Sequence, residues 1–181
     1  PRRATGDSDA GVVGTQMSNL GMELALRESG LQFVRARVGD RYVKEMMEAE
    51  GWHLGGESSG HIICSDITTT GDGIVAALQV VRALKDSGST LKQLRSGMTK
   101  YPQLMINVAT PGKVALDDIP EIGAAVAAVE QTLGKRGRVL LRPSGTEPVV
   151  RVMIEGEDAD EVKSRCESLA GDVQSILSRV G

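Results

Sequence analysis

The run 142–148, Arg-Pro-Ser-Gly-Thr-Glu-Pro, places a guanidinium, two hydroxyls and a glycine between two apolar segments, 138–141 and 149–154. Arg151 follows inside the second segment. Planar guanidinium forks beside hydroxyls and free backbone amides suit a phosphate dianion. Glycine lets such amides turn toward one point. Residue types alone leave two readings open: a phosphate site built on Arg142, Ser144, Gly145, Thr146 and Arg151, or a polar hairpin whose arginines face solvent.

A second polar cluster is the run 55–61, Gly-Gly-Glu-Ser-Ser-Gly-His. Its glycines leave a thin loop that presents a carboxylate and hydroxyls, groups that hydrogen-bond sugar hydroxyls with defined geometry. His61, one of only two histidines, is a side chain that moves protons near neutrality. A hydrogen-bonded residue opening a strand is its other reading. His53 lacks polar company and is expected to be structural or exposed. Arg35, Arg37, Asp40 and Arg41 form a third group. Strand alternation would put Arg35 and Arg37 on one face, and Asp40 reads as the cap of the next helix. The run 68–73, Thr-Thr-Thr-Gly-Asp-Gly, opens a helix and fits either an anion site at the helix start or a plain cap and turn.

These clusters need a scaffold. Apolar runs at 12–17 and 31–38 read as strands, each followed by a helix: one capped by Ser18 or Asn19, the other spanning 41–50. Extended segments follow at 52–54 and 61–64, then a helix at 74–84. Strand–helix alternation predicts a mixed, mostly parallel sheet with helices. Beyond residue 98 the pattern changes to a strand at 103–108, a helix, two strands flanking the Arg142 loop, and a last helix. Val162, Cys166, Leu169, Val173, Ile176 and Leu177 recur there at helical spacing. The fold class is therefore α/β, with domains at 1–98 and 99–181, the second a smaller βαββα unit.

Composition narrows the function classes. A formal charge of −3 over 181 residues supplies no excess of basic groups for nucleic acid, and only 2% aromatics leaves few stacking platforms. No apolar run reaches membrane-spanning length, and the start at 1–6 lacks the apolar segment of a secretory signal. The two cysteines have no metal-like spacing and read as buried free thiols suited to the cytosol.

Taken in order, Gly56-Glu-Ser-Ser-Gly-His61, Thr69-Thr-Gly-Asp-Gly73 and Arg142-Pro-Ser-Gly-Thr-Glu-Pro148 resemble the motifs of the α-D-phosphohexomutases. Val38-Gly-Asp-Arg-Tyr-Val43 and the Ser-Gly-Thr-Glu-Pro form of the last loop are similar to the bacterial phosphoglucosamine mutases among them. The resemblance runs from about Gly11 to the C-terminus.

It implies a four-domain enzyme of which this chain is domains three and four. Glu57 and Ser59 would bind the sugar, with His61 as general acid/base. Arg37 stands where relatives place a ligand-contacting basic residue, often lysine. Arg142, Ser144, Gly145, Thr146 and Arg151 match the phosphate-binding loop. The nucleophilic serine and the aspartate-rich loop for Mg²⁺ belong to domains one and two. The run 6–10, Gly-Asp-Ser-Asp-Ala, has the wrong order for that metal loop and reads as a solvated terminus. The implied reaction interconverts glucosamine 6-phosphate and glucosamine 1-phosphate in the cytoplasm through a phosphoserine and a bisphosphorylated sugar. The fragment alone is expected to be inactive. Its partners would be the phosphosugar, domains one and two, and a second copy in a homodimer. Alternatives are a phosphomannomutase/phosphoglucomutase, or a non-catalytic phosphosugar-binding module.

Overall fold

The computed structural model describes residues 10–112 and 114–180. The N-terminal run 1–6, with Asp7 and Asp9 of the acidic run, lies outside the described residues. The chain divides into two compact units, Pro1–Lys100 and Tyr101–Gly181.

The first unit runs β1 (Gly11–Thr15), α1 (Leu20–Glu28), β2 (Gln32–Ala36), α2 (Asp40–Glu50), β3 (Leu54–Gly56), β4 (Ile62–Cys64), α3 (Gly73–Ser87) and α4 (Leu91–Arg95). Its sheet has the order β2-β1-β3-β4. β1 pairs in parallel with β2 and β3, and β4 runs antiparallel to β3, so the sheet is mixed and mostly parallel, as expected. Helix α2 closes one face. Val43 and Met47 join Val13, Ala36, Trp52 and Ile63 in a buried cluster. Each such aliphatic side chain contributes roughly 1.5–3 kcal/mol when fully buried. Gly55 makes the contact possible, because a Cβ there would collide with Met47 Sδ and Val43.

Several local expectations are corrected. Asn19 alone caps α1 through Oδ1, which accepts from Gly21 N at 3.1 Å. Asp40 is not the cap of α2: Gly39 holds that position, and Asp40 is the first helical residue. An acidic side chain there still favours the helix dipole. β2 ends at Ala36, so Arg37 leaves the strand and shares no face with Arg35. Arg35 is structural. Its guanidinium pairs with Glu23 of α1 at 2.8 Å and donates to the carbonyls of Thr15 and Ser18. Periodicity does not foresee α4, which a Thr90–Gln93 capping box starts.

The second unit runs β5 (Gln103–Ala109), a 3-10 turn, α5 (Pro120–Leu133), a second 3-10 turn, β6 (Gly137–Pro143), β7 (Val149–Gly156) and α6 (Ala159–Val180). Its antiparallel sheet has the order β5-β7-β6, the expected βαββα. The central strand β7 sends Val150, Val152 and Ile154 into a core with Ile122 and Leu133 of α5 and the foreseen stripe of α6. Cys64 and Cys166 are free and buried; burial is the main cause that pushes both thiols up.

Candidate functional site

The β3–β4 hairpin carries the 57–61 loop. Glu57 N donates to the His61 carbonyl at 2.9 Å, and Gly60 N to the Glu57 carbonyl at 3.0 Å, closing a tight turn. The Glu57 carboxylate reaches across to α2, where Oε1 accepts from Gly39 N at 2.8 Å. One of its oxygens is therefore engaged by the fold. Ser59 stands exposed at the tip.

His61 is anchored through Nε2. Its Nε2 lies 2.7 Å from the Gly71 carbonyl. A carbonyl only accepts, so Nε2 carries the proton and Nδ1 is the nitrogen left for chemistry. Nδ1 faces Asp40 Oδ2 at 3.8 Å. Gly71 must be glycine for this arrangement, since a Cβ there would overlap the His61 ring. Asp40, Lys44, Glu48, His61, Thr69 and Gly71 help line a cavity of about 510 Å³. Glu57 and Ser59 lie outside its lining.

The 68–73 run behaves as a cap. Asp72 Oδ1 accepts from Ile74 N at 2.8 Å and Val75 N at 2.9 Å, which occupies the amides an anion would need. Arg37 is exposed and lies over the Tyr42 ring, 4.6 Å from its centroid; among the described residues no carboxylate pairs with it. His53 is exposed, with Nδ1 at 3.3 Å from Ser65 Oγ.

In the second unit, Arg142 and Arg151 are direct cross-strand partners of β6 and β7. Both Nε atoms are buried and have no hydrogen-bond partner among the described residues. Burial, then the positive charge of Arg151, pushes the Arg142 guanidinium down. Like charges placed opposite one another destabilise a ladder, and an unsatisfied buried donor adds a cost of about 1–3 kcal/mol. A bound anion would relieve both. Ser144 Oγ sits beside Arg151 Nη2 at 3.4 Å and accepts from the amides of Thr146 and Glu147 at 3.5 and 3.3 Å. Arg151 Nη2 also donates to Glu147 Oε2 at 3.1 Å. Gly145 is exposed in open space without a positive φ, so the loop as it stands does not require a glycine there.

Residue types did not single out Asp40 beside His61 or Glu147 beside Arg151. Asp40 meets His61 only because the hairpin folds back on the start of α2, which no local pattern encodes. Glu147 meets Arg151 where the turn enters β7, and in the sequence it reads only as part of a polar turn. Among the described residues no group of three or more His, Cys, Asp or Glu side chains gathers to hold a metal ion. No helix among them is long and apolar enough to cross a membrane.

Residues 2–101 match the family model for phosphoglucomutase/phosphomannomutase alpha/beta/alpha domain III, and residues 105–171 match its C-terminal domain. The phosphoglucosamine mutase of Cellvibrio japonicus is 56% identical over 93% of this chain. That of Methylococcus capsulatus is 55% identical over 98% of it. The chain spans 38% and 40% of the length of these two relatives. An Aspergillus fumigatus N-acetylphosphoglucosamine mutase shares the fold at a TM-score of 0.79 and 21% identity, over 93% of this chain and 39% of that one. The same fungal enzyme solved in complex with GlcNAc-6P and magnesium matches at a TM-score of 0.76 and 21% identity, over 92% of this chain and 42% of that one. The chain belongs to the phosphoglucomutase/phosphomannomutase family and carries its domain III and its C-terminal domain.

Proposed function

We propose that this chain is the substrate-gripping part of a cytoplasmic phosphoglucosamine mutase, with domain three at 1–98 and domain four at 99–181. The observation that carries the reading is the pair of facing guanidiniums with unpartnered, buried Nε donors in the Arg142 loop. That is a built anion site whose own repulsion a phosphate offsets. Identity near 55% to phosphoglucosamine mutases favours glucosamine phosphates over mannose or glucose phosphates.

The whole reaction would exchange phosphoryl groups between a phosphoserine and the two ends of the sugar, through a bisphosphorylated intermediate. Glucosamine 6-phosphate and glucosamine 1-phosphate then interconvert without net hydrolysis. The sugar must be held in two orientations. Arg142, Arg151, Ser144, Gly145 and Thr146 grip the phosphate that is not reacting, while Glu57, Ser59 and Arg37 read groups common to both poses. His61 exchanges a proton through Nδ1, and the Asp40 carboxylate 3.8 Å away attracts that edge only while Nδ1 carries the proton. Positioning and electrostatics dominate phosphoryl transfer, so a grip of this kind supports the chemistry without containing its nucleophile.

Magnesium, present in one fungal structural relative, offsets phosphate charge in such reactions. The described residues gather no group of three or more His, Cys, Asp or Glu side chains around which it could bind. The metal, the serine, and domains one and two would belong to a longer protein, in which homodimerisation is a further expectation.

The test is a chimera that joins the preceding part of the Cellvibrio japonicus relative to this chain. It should interconvert the two glucosamine phosphates faster than mannose phosphates, and lose most of that activity with Arg142→Ala or Arg151→Ala. A folded chimera indifferent to both substitutions would remove the phosphate-grip assignment.

A further inference from the structure

Two arginines of the first unit lie over aromatic rings, and they differ in what their N–H groups do. Arg35 Cζ stands 5.0 Å from the centroid of Phe33. Its Nε and Nη2 donate to Glu23, and its Nη1 to the carbonyls of Thr15 and Ser18. That guanidinium is spent on joining β2 to α1. Arg37 lies closer to its ring, 4.6 Å from the centroid of Tyr42, and is exposed. Arg27, Arg41 and Arg82 each pair with a carboxylate, whereas among the described residues none pairs with Arg37. A ring attracts a guanidinium through the negative charge of its π face, so it fixes the cation without consuming a donor. The N–H fork of Arg37 is steadied and left open to an acceptor from outside the fold.

The platform is itself fixed. Tyr42 is partly buried and packs against the cluster that holds Val13, Val43 and Met47. Its backbone N donates to the Gly39 carbonyl at 3.0 Å. Gly39, at a φ of +128°, lies so near that a Cβ there would come within 3.3 Å of the ring. Gly39 N in turn donates to the Glu57 carboxylate at 2.8 Å. The 37–42 turn is thus tied to the core through Tyr42 and to the loop of Glu57 and Ser59 through Gly39.

We infer that Tyr42 is a positioning residue, whose ring holds the Arg37 guanidinium ready to take hydroxyl or phosphate oxygens of the sugar phosphate. The inference rests on the ligand role proposed for Arg37. A long exposed side chain gives up rotamer freedom when it closes on a ligand, and one already laid on a ring has given up part of it beforehand. Tyr42 acts through its π face and through Arg37, so its hydroxyl is dispensable and its effect vanishes once the guanidinium is gone. Arg35 cannot substitute for Arg37, because its donors are committed to Glu23 and to the β1–α1 turn.

Two measurements on the 181-residue chain test it. NMR of the Arg37 side chain reads the platform: its Hδ and Hε resonances should lie upfield of those of an unstacked arginine, stay there in Tyr42→Phe and return in Tyr42→Leu. Calorimetry with glucosamine 6-phosphate reads the consequence. Arg37→Ala should weaken binding about ten-fold, as for a lost hydrogen bond to a charged group. Tyr42→Leu, which keeps apolar contact with the core, should weaken it about two- to five-fold, the range of an exposed cation–π contact, and Tyr42→Phe should bind as the unsubstituted chain does. The double variant Arg37→Ala with Tyr42→Leu should bind no more weakly than Arg37→Ala alone. Full affinity in Tyr42→Leu beside weakened Arg37→Ala would overturn the inference and leave the role of Arg37 standing. So would equal losses from Tyr42→Leu with and without Arg37, which would make the ring a structural prop. Unchanged affinity in Arg37→Ala, or no binding by the unsubstituted chain, would strike the ligand role of Arg37 and this inference with it.

Discussion

Arg142 and Arg151 face each other across the β6–β7 ladder, each with a buried Nε that no group among the described residues accepts. Folding has concentrated positive charge where the sheet alone would disfavour it. Such an arrangement persists when something outside the fold compensates for it, and a phosphate dianion has the charge and the acceptor oxygens to do so.

Replacing Arg142 should therefore separate stability from binding. Arg142→Met keeps an aliphatic stem while removing the charge. Calorimetry should show phosphate affinity reduced by about 1.5–3 kcal/mol, the worth of hydrogen bonds to charged groups. Thermal unfolding should show stability held or raised by up to about 1 kcal/mol, as expected when like charges are no longer opposed. Parallel losses of both would mean that the guanidinium is structural.

Glu147 should act as an internal competitor. Its carboxylate accepts from Arg151 Nη2 at 3.1 Å, the donor an incoming phosphate would use. The pair is partly exposed, so its strength is about 0.2–1 kcal/mol. Glu147→Gln should tighten phosphate binding by that amount. Weaker binding in Glu147→Gln would show instead that the carboxylate holds Arg151 in its binding pose.

Much of this architecture is legible in the sequence because it depends on local periodicity. The α6 stripe from Val162 to Leu177 and the two strands around the Arg142 loop follow from side-chain alternation and helical spacing. Positions set by long-range contact are not legible. Arg35 and Arg37 look equivalent as a pair of bases, yet one is taken by Glu23 on α1 while the other lies over Tyr42. Asp40 has the residue type of a cap, but the turn places Gly39 at that position and turns Asp40 toward His61.

Acid should loosen the start of α6 through Glu161. A hydrogen bond from Arg165, with help from Arg136, holds its carboxyl below the usual carboxylate range. A depressed folded-state pKa contributes stability above the unfolded-state value, and that contribution disappears as pH falls through the depressed one. Carbon-detected NMR titration should find Glu161, half-buried at the start of α6, protonating at lower pH than exposed glutamates. Glu161→Gln should flatten the acid side of the stability profile while leaving its slope above neutrality unchanged. Titration of Glu161 together with the unpaired glutamates would rule the linkage out.

His61 should be separable from its neighbours by kinetics in the active chimera. The proton on Nε2 is committed to the Gly71 carbonyl at 2.7 Å, so in the proposed role proton exchange would use Nδ1. His61→Ala should then depress kcat by about 10²–10⁴, the range for a general acid/base. Gly71→Ala offers a second reading of the same geometry. It removes no titrating group, yet its methyl would occupy the space of the imidazole, so it should also lower kcat by moving the ring. Glu57→Gln keeps an oxygen to accept from Gly39 N while removing charge at the sugar loop. Its effect should fall mainly on KM if the contact is equal in the ground and transition states. Solvent exchange at the Gly39 amide, followed by NMR, would confirm that the Glu57→Gln loop stays in place. Wild-type kcat in His61→Ala, measured at saturating substrate with chemistry rate-limiting, would reduce the histidine to a brace between the hairpin and the 68–72 turn. A fall in kcat for both His61→Ala and Gly71→Ala, with KM alone moving in Glu57→Gln, is the pattern expected of a positioned proton carrier.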